Sequence, residues 1–241
     1  MRLRPILTML GSFAALGTLS SCKIATSTDV GSATLQMLDI AMCAANQGGF
    51  SATSTNPYFP FQVGSLWVYD GEESGVAIHL EITALDQQEN VGGVATQVIQ
   101  ERETANGTLT EVSRNFFAQT SDGTVCYFGE SVDIYDSNGN VTHEGSWRGD
   151  DPGNAPGIIM PASPKPGMKF QFESAPGIAE DQGSIVGAGP EEVPAGRFTE
   201  TIRIRELNPL DGGKDLKSYA AGVGLIVDGT LRLTSYTTPT P

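Results

Sequence analysis

Positive charge is scarce in this sequence of 241 residues. Its 14 lysines and arginines are outnumbered by 28 aspartates and glutamates, which gives a formal net charge of −14 at pH 7. A surface this acidic repels the phosphate backbone of nucleic acids, so we expect neither DNA nor RNA as a partner. The two histidines, His79 and His143, lie far apart in the sequence. Because one histidine without a second at ligand spacing is a weak metal signal, we expect no metal and no cofactor.

Motifs of several enzyme classes are also missing. The chain has no GxSxG nucleophile elbow, no glycine-rich phosphate loop that opens a helix, and no alternation of strands with helices. Ser146 lies three residues from His143 and close to Asp150, which suggests a catalytic triad. Triads are set by geometry across a fold and not by local spacing, so we favour a protein that is not an enzyme, with an envelope hydrolase as the alternative.

No run of about 20 apolar residues is present, as a membrane-spanning helix would require. The chain opens with Arg2 and Arg4, continues through an apolar stretch at 6–19, and reaches "LSSC" at Cys22. This pattern resembles the lipobox of bacterial lipoproteins, which implies removal of residues 1–21 and attachment of lipid to Cys22. We therefore expect an acylated, membrane-anchored protein of the cell envelope. Because Lys23 and not an aspartate follows, the resemblance implies the outer membrane, facing the periplasm, in a cell with two membranes.

Besides Cys22, the chain has two cysteines, Cys43 and Cys126. The envelope is an oxidising compartment, where a disulfide between them is allowed. Two buried free thiols are an equal alternative.

Residues 22–56 are expected to be a lipidated tether followed by one short helix at about 33–46. Leu35, Leu38 and Met42 recur at helical spacing, Ser32 is a suitable N-cap, and Gly48 follows the end. We expect this apolar stripe to pack on the body of the protein.

Residues 57–241 change to short alternating runs such as "GVAIHLEITAL" and "TETIRIREL", separated by turn signals such as Asn106-Gly107 and Asn138-Gly139. Strands at this spacing with tight connections predict an all-β domain of antiparallel meanders.

An internal repeat divides this domain. "FPFQVGSLWVYDG" around Gly64 is echoed by "SPKPGMKFQFES" around Gly167, and each glycine is followed by aromatic residues three and five positions on. Further matches, at nearly the same offset, are Val91 with Val193 and Phe117 with Tyr219. We predict two similar meander halves, about 57–128 and 160–236, joined by a connector at 129–159. Open sheets with bare faces are unstable alone, so the halves are expected to pack as a sandwich or a half-open barrel.

The motifs "VPAGRF" at 193–198 and "YAAGVGL" at 219–225, together with "YFPFQVGSLWVY", resemble a group of uncharacterised bacterial secreted proteins and lipoproteins. The resemblance implies an envelope β-domain and supplies no catalytic residues. At the level of fold, lipoprotein carriers that hold acyl chains in a half-open barrel offer a functional analogy.

The connector contains the most varied side chains of the chain. Its candidate binding residues are His143, Trp147, Arg148, Asp150 and Asp151. Tryptophan and arginine often anchor interfaces. The favoured interpretation is structural, with the tryptophan on the sheet and the arginine on Asp150 or Asp151.

These observations predict a lipid-anchored binding or structural module whose partners are the membrane, through Cys22, and an apolar or acyl ligand or an envelope protein. The alternatives are an envelope hydrolase that uses residues 143–151 and a subunit of an envelope assembly.

Overall fold

The computed structural model describes residues 36–239, in which most residues lie in β-strands. The strands are β1 (Gln36–Met37), β2 (Leu66–Glu73), β3 (Val76–Val91), β4 (Val94–Ala105), β5 (Thr108–Gln119), β6 (Val125–Tyr135), β7 (Val141–Thr142), β8 (Trp147–Arg148), β9 (Ala155–Met160), β10 (Met168–Gln171), β11 (Glu173–Ser174), β12 (Gln182–Ala188), β13 (Glu191–Val193), β14 (Gly196–Phe198), β15 (Thr201–Leu207), β16 (Lys214–Ala220), β17 (Gly224–Asp228) and β18 (Leu231–Thr237). Two short 3-10 helices, Ile40–Cys43 and Ala45–Gln47, lie between β1 and β2. The prediction of an all-β fold is confirmed.

Most of these strands form one large sheet. Their order is β1-β10-β12-β15-β16-β17-β18-β2-β3-β4-β5-β6-β9-β11, with β7 and β8 also paired to β6, while β13 and β14 form a separate hairpin. The pairs are antiparallel apart from β1 with β10. Strands β10 and β11 are consecutive in the chain but lie at opposite ends of this order. The segment 168–174 therefore links the two ends of the sheet, whose inner face packs on one core in a sandwich-like arrangement.

The two predicted meanders are present and resemble each other in detail. The first runs through β2 to β6, the second through β10, β12, β15, β16 and β17, and β18 joins them by pairing with β2. Each begins after a glycine with positive φ, Gly64 at +85° and Gly167 at +95°. Their amides donate to equivalent carbonyls in the second strand, Ala84 at 2.8 Å and Ile185 at 2.9 Å. The repeat found in the sequence thus corresponds to repeated hydrogen bonds.

Both meanders carry a β-bulge between their fourth and fifth strands. The register shifts beside Phe117 in the first meander and beside Tyr219 in the second. The extra residues, Phe128 and Ile226, are both fully buried. A bulge bends its strand and increases the local twist. The matched aromatic pair therefore marks the place where each meander curves around the core.

The structure corrects the prediction of one continuous helix at 33–46. In the described part of this segment, a short strand is followed by two 3-10 turns, separated by Ala44 in an extended conformation with ψ of 132°. The Asp39 carboxylate accepts a hydrogen bond from the Ala41 amide at 2.9 Å, which caps the first turn locally. Leu38 and Met42 still pack against the core as the apolar stripe predicted.

In the described residues, no helix is both long enough and apolar enough to cross a membrane.

Candidate functional site

Trp147, named from the sequence as a candidate binding residue, belongs to the core. It is 2% exposed, and its ring meets Tyr127 edge-on with centroids 5.3 Å apart. Strand β8, which carries it, pairs with β6 at Glu130. This tryptophan therefore anchors the connector on the sheet.

Arg148 and Asp150 attach the connector to the hairpin between β3 and β4. The guanidinium donates to Glu89 at 2.8 Å, to the Asn90 carbonyl at 2.7 Å and to Asp150 at 3.0 Å. Asp150 also accepts from the Gly92 amide at 2.9 Å. The hydrogen bond from Arg148 holds the pKa of the Asp150 carboxyl below its usual range, so both partners stay charged. These contacts agree with the structural interpretation of the pair.

His143 and Ser146 do not form a catalytic pair. The His143 ring lies 3.0 Å from an Asp133 oxygen, and its side chain is 69% exposed. The Ser146 hydroxyl accepts from the Val132 amide at 2.9 Å, which holds the connector on β6. The Ser146 amide donates to the His143 carbonyl at 3.2 Å, but within residues 36–239 no hydrogen bond joins their side chains. Asp151 is exposed in the turn that follows.

Cys43 and Cys126, whose pairing the sequence left open, form a disulfide with their Cα atoms 5.6 Å apart. Both residues are fully buried. The bond holds the 3-10 segment against β6, and a bridge between Ser51 and Gln119 continues the attachment. The segment 43–51 is therefore fixed to the body of the protein.

The candidate site with the most distinctive chemistry is a half-enclosed cavity of ≈ 40 Å³ between the first meander and β17. Aromatic rings and aliphatic side chains form most of its wall, and it contains a single carboxyl group. We call it the aromatic cavity; its lining residues are Phe59, Pro60, Phe61, Trp67, Tyr69, Ile82, Ile99, Glu101, Phe117, Gly224 and Leu225.

Strand alternation explains why these side chains converge. Residues two apart in a strand point to the same face of a sheet, and directly paired residues of neighbouring strands share that face. Ile82 pairs with Glu101. Gln97 lies four residues before Glu101, on the same face of β4, and pairs with Phe117. The strand-borne wall therefore consists of Trp67 and Tyr69 on β2, Ile82 on β3, Ile99 and Glu101 on β4, and Phe117 on β5.

The segment before β2 supplies the remaining rings. Asn56, which is 3% exposed, donates from its amide group to the carbonyls of Gly123 and Pro161, both at 3.0 Å. This fixes the start of the segment, so that the Phe59 ring contacts Phe117 edge-on with centroids 5.0 Å apart. The wall is thus held in place by hydrogen bonds outside the cavity.

Two of the rings are also fixed by hydrogen bonds, one to Val223, which directly precedes β17, and one to Leu225 within β17. The Trp67 indole donates to the Val223 carbonyl at 2.7 Å, and the Tyr69 hydroxyl donates to the Leu225 carbonyl at 2.9 Å. Gly224, between these acceptors, has φ of +97°, a conformation that favours glycine. Because both donor groups already have acceptors, the two side chains contribute mainly apolar ring atoms to the cavity wall.

Glu101 gives the cavity its charge. Burial raises the pKa of its carboxyl, which Asp228 raises further and Lys217 opposes from a distance. The side chain is partly exposed, and within residues 36–239 it forms no ion pair. The carboxylate is therefore available to a group that enters the cavity.

A second group of charged residues lies deeper in the core. Lys217 is 1% exposed, and its ammonium group contacts Asp228 closely and lies 3.6 Å from Glu206. Burial raises the pKa of Glu206 to about 8, although Lys217 opposes this shift. Burial alone would lower the pKa of Lys217, but Asp228 and Glu206 raise it above its ordinary value.

Sequence reasoning did not single out Glu101. It noted Trp67 and Tyr69 only as the aromatic residues three and five positions after Gly64, and both are buried. A usable signal was present in "VATQVIQERE", where Glu101 stands two residues after the apolar Ile99 and thus on the same face of the strand. A glutamate at an inward position is costly to bury, so it is a candidate for function.

Residues 36–239 contain no cluster of three or more histidine, cysteine, aspartate or glutamate side chains placed to hold a metal ion. Comparisons with protein-family models, with curated proteins and with solved structures found no match.

Proposed function

We propose that this chain is a lipid-anchored envelope protein that binds a small ligand in the aromatic cavity. The observation that carries the proposal is the fixed position of Trp67 and Tyr69 in the cavity wall, where hydrogen bonds to Val223 and Leu225 hold both side chains. Side chains ordered before binding lose less entropy when a ligand arrives, which favours affinity.

The size of the cavity limits what enters it. A cavity needs roughly 10–15 Å³ to hold one water molecule, so ≈ 40 Å³ corresponds to the bulk of a few waters. Pockets for drug-sized ligands measure about 300–1,000 Å³. The aromatic cavity therefore suits a small molecule or one end of a larger one, and it favours these over a whole acyl chain.

The envelope location is supported by the sequence. The lipobox-like "LSSC" and the apolar stretch at 6–19 lie outside the described residues. Lipid attached to Cys22 would anchor the protein without a membrane-spanning helix. The disulfide between Cys43 and Cys126 suits an oxidising compartment such as the periplasm.

The hydrolase alternative has less support. Ser146 is engaged with β6, and the residues proposed for the connector serve to attach it. A subunit of an envelope assembly gains no particular support from residues 36–239, whose exposed large apolar side chains, from Met37 to Tyr236, belong to different strands and loops.

One experiment tests both parts of the proposal. The wild-type chain is expected in the membrane fraction of its host, and Cys22→Ser is expected to release it, because the acceptor of the lipid is lost. Native mass spectrometry of the released variant is expected to show a small molecule that dissociates on unfolding. Ser27→Ala is the control for a substitution close to the lipid site and should stay with the membrane. If Cys22→Ser remains membrane-bound, the anchor is wrong; if the protein carries no adduct under any gentle condition and binds no added ligand, the binding role is wrong.

A further inference from the structure

The aromatic cavity combines rings and charge in a way that selects a class of ligand. Five of its lining residues are aromatic, and one, Glu101, is a carboxylic acid. The face of an aromatic ring attracts cations through its quadrupole, most strongly for tryptophan, and several rings around one site add to this attraction. From this combination, and resting on the proposed role as a binding protein, we propose that the ligand is a small quaternary ammonium ion.

The hydrogen-bonding groups of the wall favour this class. The Trp67 indole and the Tyr69 hydroxyl donate to backbone carbonyls of Val223 and Leu225. The other lining side chains, apart from Glu101, have no polar atoms. An anion or a strongly hydrated polar molecule would lose its hydrogen bonds to water and find few donors, which is costly. A quaternary ammonium group has no N–H to satisfy and keeps its positive charge at every pH.

Glu101 supplies the opposite charge. It faces the cavity between Ile82 and Ser113, its partners on the adjacent strands. Among residues 36–239, Lys217 is the cation that acts on it, and that ammonium group already contacts Asp228. A bound cation would therefore form an ion pair with the Glu101 carboxylate, which has no ion-pair partner in the described structure.

The dimensions agree with a methylated ammonium group. A space of ≈ 40 Å³ holds about three waters, since a cavity needs roughly 10–15 Å³ for each. This is close to the bulk of a trimethylammonium group. The net charge of −14 adds a long-range attraction for cations and repels anionic competitors.

The test uses the purified full chain and two probes of nearly the same shape. Choline carries a trimethylammonium group, and 3,3-dimethylbutan-1-ol replaces its nitrogen by carbon and is neutral. Isothermal titration calorimetry is expected to show saturable choline binding and an affinity at least about ten-fold weaker for the neutral probe, which lacks both the ring attraction and the ion pair.

Glu101→Gln is expected to weaken choline binding at least about ten-fold, because the amide has the same shape without the charge. Glu72→Gln is the matched control: Glu72 is exposed on β2, and the variant has the same net charge. It should bind choline within about two-fold of wild type, since surface charges interact weakly. Circular dichroism would establish that both variants are folded.

The outcomes separate this inference from the function on which it rests. If the neutral probe binds as tightly as choline, or if both variants weaken choline equally, the ammonium inference is overturned while a binding role for the cavity stands. If neither probe binds at millimolar concentrations, the inference is overturned and the binding role loses its main support.

Discussion

Lys217 is 1% exposed and yet charged, because the Asp228 carboxylate contacts its ammonium group closely. Removing a charge from water costs several kcal/mol, and nearby opposite charges with good geometry offset that cost. A signal for this arrangement was present in "DLKSYA", where Lys217 stands two residues before Tyr219 and thus on the same face of the strand. It could not show which acids would meet the lysine, because Glu206 and Asp228 come from different strands.

Glu206 is expected to make stability depend on pH. Its pKa is about 8 in the folded chain, against about 4.3 in an unfolded one. Between these two pKa values the folded protein keeps the Glu206 proton and the unfolded chain releases it. The contribution of protonated Glu206 to the free energy of unfolding is therefore complete at low pH and is lost as pH rises from about 4.3 to about 8. The free energy of unfolding can be measured in urea for wild type and Glu206→Gln at pH 5 and at pH 8.5. From the lower to the higher pH, the variant should gain on the order of 4 kcal/mol relative to wild type, which loses the contribution of its buried proton.

The control for this measurement is Glu192→Gln, which changes the charge equally at an exposed position of the hairpin formed by β13 and β14. Its stability should follow that of wild type at both pH values. A Glu206→Gln variant whose unfolding free energy also runs parallel to wild type would contradict the buried, protonated state of Glu206.

At the scale of elements, local patterns predicted the strands better than the N-terminal segment. The glycine turns and the aromatic residues after Gly64 and Gly167 repeat in the sequence and in the hydrogen bonds. Because successive side chains of a strand point to opposite faces of the sheet, the apolar pattern predicts which ones face inward. Part of the cavity wall could therefore be predicted from the sequence. The segment at 33–46 has helical spacing of apolar residues, but packing and the bond from Cys43 to Cys126 determine its path. Contacts over 83 residues leave no local signal.

The disulfide is expected to be the main attachment of this segment. It closes a loop of 83 residues, and the loss of loop-closure entropy in the unfolded chain corresponds to about 4.5 kcal/mol. The double variant Cys43→Ala, Cys126→Ala should lose stability of this order in denaturant unfolding. Limited proteolysis should then cut near the 3-10 turns before the sheet unfolds.

Reductant provides the matched comparison. Treatment of the wild-type protein should reproduce the change, and treatment of the double variant should add nothing. If reduction leaves the wild-type midpoint unchanged, the attachment resides in the packing of Leu38 and Met42 and not in the disulfide.

The whole molecule depends on the pairings that join the two halves. Strand β18 of the second half pairs with β2 of the first, and β9 pairs with β11 at the other junction, so the halves belong to one sheet. The pairing of β18 with β2 brings β17 beside the first meander, so that Trp67 and Tyr69 reach carbonyls 156 residues away in the sequence. The repeat predicted two similar halves, but the cavity arises from how they join, which neither half specifies alone.

The most direct test of ligand binding uses the two tryptophans, of which Trp67 lines the cavity and Trp147 anchors the connector. In a nitrogen-15 correlation spectrum of the full chain, each indole N–H gives one signal, assigned with Trp67→Phe. Addition of choline or its neutral analogue is expected to shift the Trp67 signal saturably and to leave the Trp147 signal in place. A spectrum in which neither probe moves the Trp67 signal, or in which Trp147 alone responds, would contradict the account.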